Sequence, residues 1–397
     1  MRVTQESVPR DDKRARMIDA IRRHGSASRR ELMLLTGLSR STVSLLVGEL
    51  QARGQISEEG TDDHGSARGR PAARLRFDAS AGVVVGIDFG HHHISAGVGD
   101  LSGATLAERS IAYDAAAADR ALGLGADLAA AALAALGVEP AAVVGAVVSL
   151  PGPVSLREGE IAGSPLLPAW VGPGTAAELR ERLGVDVRFE NDANLAAYAE
   201  HCFGAGRGVD DLVYVLADEG IGAGLVLAGR PYIGALGLAG ELGHVRILPD
   251  GPVCRCGNRG CLGTVAGATR LLELLRPMRG DDLTLRGMLD LVAGGDEAAR
   301  RLVRDAGQAI GQVLAGLCNH LNPARVVVGG AMSEAEGPLL AGIRAGIEQD
   351  ALPGTAERVD VVRGELGARA TLAGGLALIA RDTDRLPSAD LAVAAPP

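Results

Sequence analysis

At 397 residues and 47% hydrophobic content, the chain is too long for one ordinary domain and has apolar material for two or three cores. It holds no apolar run long enough to span a bilayer, and its start, Met1-Arg-Val-Thr-Gln-Glu-Ser, lacks a signal-peptide core, so a cytoplasmic location is expected. The net charge of −9 is uneven: residues 1–77 carry fifteen Lys and Arg against ten Asp and Glu, the remainder 25 against 39, so only the basic head suits a polyanion.

Residues 13–77 read as a winged helix-turn-helix. A helix over 13–24 places Met17, Ile18 and Ile21 on one face, and Gly25 stops it. Ser28-Arg-Arg-Glu31 has the spacing of a capping box and opens a second helix carrying Leu32 and Leu35. Thr36-Gly37-Leu38 makes the turn, and Ser39 caps a third helix whose Val43, Leu46, Val47 and Leu50 recur at helical spacing. That leaves Arg40, Ser41, Thr42 and Ser44 outward at the helix start, where a recognition helix meets base edges in the major groove. Strands over 55–58 and 73–77 form the wing, the second with Leu75 and Phe77 inward and Arg74 and Arg76 outward. Between them Gly65-Ser-Ala-Arg68-Gly-Arg70-Pro71 is a thin basic tip suited to a narrow minor groove. The competing reading is a dimerising helical bundle with Arg68 and Arg70 merely solvated, but capping box, turn, helix and basic wing come in the right order. A dimer would set two heads about a two-fold axis, so the expected operator is double-stranded DNA with an inverted repeat. Residues 78–82 form the linker.

From Val83 the texture changes to short apolar strands alternating with helices, as in an α/β core. Strands over 83–89, 94–100 and 104–113 precede an alanine-rich helix to about Leu136 and a strand over 143–149. A similar order recurs: strands over 212–216 and 222–227, helices, strands over 325–328 and 359–362, and a last helix over about 368–381. The expected division is a first lobe over 83–200 and a second over 201–382, with the last helix returning to the first lobe.

Within the second lobe, residues 240–263 hold Cys254, Cys256 and Cys261, with His244 a short loop upstream. Three thiolates and one imidazole complete a tetrahedral zinc shell with no open position, so the metal is expected to be structural, one per chain. Free or disulfide-bonded cysteines are the alternative, set against the compact interleaving of Gly257 and Gly260.

Glu241-Leu-Gly-His244 followed by Cys254-x-Cys256-Gly-x-x-Gly-Cys261 resembles the zinc and sugar-site signature of the ROK family, which contains sugar kinases and sugar-responsive repressors. The resemblance covers essentially the whole chain. It implies a multidomain α+β protein: a winged helix-turn-helix, then a two-lobed, duplicated α/β body of the sugar-kinase and actin type (ribonuclease-H-like) with a ligand cleft between the lobes. It also implies that Glu241 and His244 touch sugar hydroxyls, that the other nitrogen of His244 binds zinc, that Asn191 of Glu190-Asn191-Asp192-Ala-Asn194 binds sugar, and that Asp192 stands at the kinases' general-base position. Asn191 also reads as a cap of the following helix, a role compatible with the first.

Several positions depart from the family pattern. Asp88-Phe-Gly90 is followed by His91, His92 and His93 where kinases hold ATP phosphates, and Asp218-Glu219-Gly220-Ile-Gly222-Ala-Gly224 brings two carboxylates to the second phosphate loop, where they would repel a polyphosphate. Leu166 and Gly263 stand where the family has polar sugar contacts, which points to a different, larger or less polar sugar, or to low affinity. The expectation is a homodimeric, zinc-containing transcriptional regulator with a sugar ligand and no catalysis. The alternatives are an ATP-dependent sugar kinase with a DNA-binding head and a regulator without a small ligand.

Overall fold

The structure, a computed structural model, describes residues 10–61, 73–113, 118–157, 160–163 and 170–382. The wing tip with Arg68 and Arg70, and the loop with Leu166, lie outside these.

The head is built from α1 (Arg10–His24), β1 (Ser26–Ser28), α2 (Arg29–Thr36), α3 (Arg40–Ala52), β2 (Ile56–Thr61) and β3 (Ala73–Phe77), with an antiparallel sheet ordered β1-β3-β2. The Ser28–Glu31 capping box forms as expected: Ser28 Oγ accepts from the Glu31 amide, and the Glu31 carboxylate accepts from the Ser28 amide at 2.7 Å. Gly37, at φ +68°, turns the chain between α2 and α3. Met17, Ile18, Ile21, Leu32, Val43, Leu46, Val47, Leu50 and Leu75 make the head's core. Two assignments are corrected. Leu35 is exposed, and the short α2 instead buries Leu32 and Thr36, four residues apart on one face. Arg74 is not turned out to water; it donates to Ser26 and pairs with Glu31, tying the wing to the first strand, a strand the sequence reading missed.

The body has two sheets of one topology. The first contains β4 (Val83–Phe89), β5 (His93–Asp100) and β6 (Thr105–Ala112), followed by α4 (Ala118–Leu136), β7 (Val143–Leu150), the small hairpin β8 (Ser155–Arg157) and β9 (Glu160–Gly163), α5 (Pro173–Leu183), β10 (Val187–Asn191) and α6 (Asp192–Phe203). Its order is β10-β7-β4-β5-β6, with β4, β5 and β6 antiparallel and β7 and β10 parallel to β4. The second runs through β11 (Leu212–Ala217), β12 (Ile221–Leu227), β13 (Arg230–Pro231), α7 (Leu262–Ala266), α8 (Ala268–Arg279), α9 (Leu285–Ala293), α10 (Glu297–Leu321), β14 (Arg325–Gly329), α11 (Glu336–Asp350), α12 (Pro353–Ala356), β15 (Asp360–Arg363) and α13 (Ala370–Asp382). Its order β13-β12-β11-β14-β15 has the same pattern of directions as the first sheet. The central strands Val83–Phe89 and Leu212–Ala217 are almost wholly apolar and buried, as strands covered on both faces must be, with Asp88 near the end of the first the exception.

Two helix pairs in the body pack at backbone distance. In α10 and α11 the glycines Gly307, Gly311, Gly342 and Gly346 lie at the crossing, where any added Cβ would stand 2.2–2.4 Å from a carbonyl oxygen of the other helix. At Gly374 of α13 a Cβ would come within 1.8 Å of the Leu195 carbonyl of α6, so these helices also touch backbone to backbone. Leu376, Leu378 and Ile379 of α13 are buried with Val84, Val147 and Leu195, which brings the last helix back onto the first sheet.

A carboxylate cleft beside a candidate metal centre

The ends of the two leading strands come together, His92 just past β4 bonding Glu219 just past β11. Asp88 lies on β4, Asp218 directly follows β11, Asp192 opens α6, and Glu241 precedes a short helical turn over Leu242–His244. Burial, and then the negative charges of Asp88, Glu241 and Asp218, push the Asp192 carboxyl up to about 8. Burial alone raises Glu241 to about 7. Both are group settings in which a carboxyl keeps its proton near neutrality and can donate a hydrogen bond as well as accept one. The sequence reading treated Asp88 and Asp218 only as remnants of phosphate loops. Their equivalent places at the ends of the duplicated leading strands were the signal that they would converge.

Asn191 is the N-cap of α6. Its Oδ1 accepts from the amides of Ala193 and Asn194 at 2.9 and 3.2 Å, and its Nδ2 donates to the Gly152 carbonyl at 2.9 Å. The cap thus fixes Asp192 against the Pro151-Gly152-Pro153 loop and leaves one Nδ2 hydrogen for a ligand. Glu190, buried, accepts from the Asn191 amide and from Asn194 Nδ2, each at 3.0 Å, and holds the same turn from behind.

At the other side of the cleft the histidine run and the second glycine loop engage each other. His92 Nε2 lies 2.5 Å from Glu219 Oε1, and His91 Nδ1 lies 3.8 Å from Glu219 Oε2. His93 turns the opposite way, its Nε2 3.0 Å from Asp88 Oδ2, a bond that raises the His93 pKa above its ordinary value. Its ring covers Gly90, where an added Cβ would fall 2.2 Å from His93 Cε1. Asp218 accepts from the Glu219 and Ala331 amides at 2.9 and 3.0 Å. Both acidic side chains of this loop therefore have protein partners.

His244, Cys254, Cys256 and Cys261 come together, their ligand atoms all within 4.8 Å of one another. Cys254 Sγ lies 3.4 Å from His244 Nδ1 and Cys256 Sγ 3.7 Å from Cys261 Sγ. A tetrahedral zinc shell has ligand-to-ligand edges of roughly 3.4–3.8 Å, so the donor set fits in kind and these two separations fit in length. All three cysteines are free thiols. The loop reaches this shape through two glycines with positive φ: Gly257 at +91°, and Gly260 at +63°, where a Cβ would stand 1.5 Å from the Leu248 carbonyl oxygen. With Nδ1 turned to the thiols, His244 presents Nε2 to the Glu241 carboxylate at 3.9 Å, so one imidazole faces both the metal group and the cleft. Gly263 sits in the first turn of α7 with its would-be Cβ 3.3 Å from the Gly243 carbonyl, beside the same turn.

On the head, Arg40, Ser41 and Ser44 are exposed on α3, while Thr42 is half-buried and its Oγ1 lies 2.9 Å from Ser39 Oγ in the cap. Leu45 is 56% exposed, which no core assignment explains and which the sequence reading passed over. It is one helical turn from Ser41, on the exposed side of α3.

Residues 84–382 match the model of the ROK family. The N-acetylglucosamine repressor of Escherichia coli O6:H1 is 30% identical over 379 residues, 92% of this chain and 91% of the relative. The crystal structure of a ROK family transcriptional regulator, a homologue of the E. coli MLC protein, superposes with a TM-score of 0.81 at 25% identity, over 94% of this chain and 96% of that one. A ROK family glucokinase from Streptomyces griseus, in complex with glucose and AMPPNP, superposes with a TM-score of 0.64 at 28% identity over 75% of this chain and 99% of its own.

Proposed function

This chain belongs to the ROK family, and from that premise we propose that it is a sugar-responsive transcriptional repressor whose head binds DNA and whose cleft binds a sugar. The observation that carries the reading is the extent of the matches. The repressors align along nearly the whole chain, head included, whereas the glucokinase spans 75% of it. In this reading residues 13–77 are the DNA-binding domain, 83–200 and 201–382 the two lobes, and the protein acts as a cytoplasmic homodimer on an inverted repeat.

Asn191, Asp192, Glu241 and His244 hold the sugar. Protonated or ionised, the Asp192 and Glu241 carboxyls match the mixed donor and acceptor pattern of hydroxyls, and the Asn191 Nδ2 adds a donor. Zinc, held by His244, Cys254, Cys256 and Cys261, would fix the loop and the orientation of His244; with four protein donors it has no position for substrate. Phosphoryl transfer is absent in this reading, supported by the His91 and His92 contacts to Glu219 across the place where a polyphosphate would lie. The rival reading, an ATP-dependent kinase, calls for a donor site there.

The test is a thermal-shift and calorimetric screen of N-acetylglucosamine, glucose and xylose. One of them is expected to raise Tm by mass action. Asp192→Ala is then expected to weaken it by about 1–3 kcal/mol. A sugar that binds equally well to Asp192→Ala and to Glu241→Ala variants would move the site elsewhere, and sugar-dependent ATP turnover of about 1 per second would restore the kinase.

A further inference from the structure

Both the cleft and the head are reached by one helix, α6. Its first residue is Asp192 and its last turns carry Tyr198 and Cys202, so the helix spans about 18 Å from cleft to head. Leu195 in the first turn of α6 and Tyr198 further along are buried with Leu376, Ala377, Leu378, Ile379 and Ala380 of α13, and Phe77, from the last strand of the head, packs against the same cluster. Phe77 also packs against the head's own core, so it belongs to both. Arg22 of α1 lies over the Phe77 ring at 4.2 Å and donates to two body carbonyls, Leu101 at 2.5 Å and Ala380 at 3.2 Å. The Cys202 thiol is driven up to about 11 by burial, with the charges of Arg381, Asp19 and Arg22 acting on it in smaller measure.

Several ties along α6 join it to α13. The Glu200 carboxylate, buried, accepts from the amides of Ala205, Glu365 and Leu366, the last two on the segment that leads into α13. Gly374 lets α13 rest on the Leu195 carbonyl. Arg381 donates to Tyr198 Oη at 3.3 Å and closes the pair at the head end. The junction itself is tied rather than loose, because the Asp78 amide donates to Gln55 in the head and the Leu101 amide donates to Ala79 in the linker.

We propose that α6 and α13 act as one strut that carries sugar occupancy to the DNA-binding head, with Arg22 as the clamp that makes α1 follow it. A ligand on Asp192 that shifts the start of α6 changes the seat formed by Tyr198, Cys202 and Ala380, and the two carbonyls on Arg22 pass that change to the head. The proposal rests on the reading of the cleft as a sugar site. Coupling of this kind is reciprocal: if sugar alters DNA affinity by some factor, DNA alters sugar affinity by the same factor.

The experiment compares the full-length chain with its Arg22→Met variant, which keeps the apolar stem over Phe77 and removes the donors. Binding to a duplex selected by the protein from a random pool is titrated by fluorescence anisotropy, with and without N-acetylglucosamine, glucose or xylose, and the affinity for each sugar is measured by calorimetry. Wild type is expected to show a sugar-dependent change in DNA affinity of roughly 5–150-fold, the usual span of such coupling. In Arg22→Met sugar affinity is expected to stay within about twofold of wild type while the coupling falls to near one. A variant with wild-type coupling overturns the clamp and leaves the sugar reading intact. If no sugar binds the wild-type chain, the sugar reading fails and the strut falls with it. If Arg22→Met loses DNA binding altogether, hydrogen exchange of the α1 amides decides: a sugar-induced change in wild type that is lost in the variant supports the strut, and one that persists overturns it.

Discussion

A carboxyl held at about 8 is mostly protonated in the folded chain at neutral pH, while in the unfolded chain it is ionised. The folded-state pKa of Asp192 is raised, so its favourable contribution to stability is complete below the unfolded value near 4 and is lost as pH rises toward 8. Asp192→Asn imitates the protonated form. Its Tm advantage over wild type is therefore expected to grow from about pH 5 to about pH 8 and to level off above, read by thermal melts across that range. A difference constant with pH would mean that Asp192 is ionised throughout. On the head, Arg40 is exposed at the start of α3, and its replacement by alanine is expected to relax base preference at one position of the half-site by about 1–3 kcal/mol, read by competition among single-base variants. Uniform weakening over all variants would assign Arg40 to phosphate instead.

The loop over residues 240–263 folds largely on itself, the Cys254, Gly260 and Leu262 amides donating to the Asn258, Pro252 and Val245 carbonyls, and it gathers the four donor side chains. Cys256→Ser is expected to bring metal content from about one ion per chain to near zero by elemental analysis and to lower Tm, since binding energy here is folding energy. Full zinc occupancy in the variant would exclude Cys256 as a ligand. The α10–α11 pair makes a separate prediction: Gly311→Ala puts a Cβ 2.2 Å from the Ile343 carbonyl, and the forced separation is expected to cost about 1–3 kcal/mol in denaturant unfolding. These two elements also show what a sequence can and cannot disclose. The grouping of His244 with Cys254, Cys256 and Cys261 was legible because cysteine, histidine and glycine at close spacing have few other uses. So were the central strands of the two sheets, whose residues are mostly apolar, and the Ser28 capping box. The α10–α11 glycines were not, since a glycine in a helix declares no partner until the opposing backbone is placed. The same holds for Glu219 and the histidines: the residues were read as hostile to phosphate, but their pairing across 127 positions of chain exists only in three dimensions. Leu35 failed for a simpler reason, as an eight-residue helix has room to bury only one narrow stripe.

For the molecule as a whole, a basic head on an acidic body means that DNA contact is expected at one end only, with Arg68 and Arg70 of the wing tip serving phosphate or the minor groove. Replacing both by alanine is expected to weaken most sequences alike and to flatten the salt dependence by about one unit of slope per lost phosphate contact, read by a salt titration alongside a footprint. A non-palindromic footprint would remove the two-fold arrangement. Sugar and DNA meet in a single chain only if the two lobes report to the head, and that is the claim on which the account stands. Its most direct test is the affinity of the full-length protein for its selected duplex at one fixed salt concentration, measured with and without the sugar that raises Tm most. The account predicts a change in Kd of roughly fivefold or more. An affinity that stays the same at saturating sugar would contradict it.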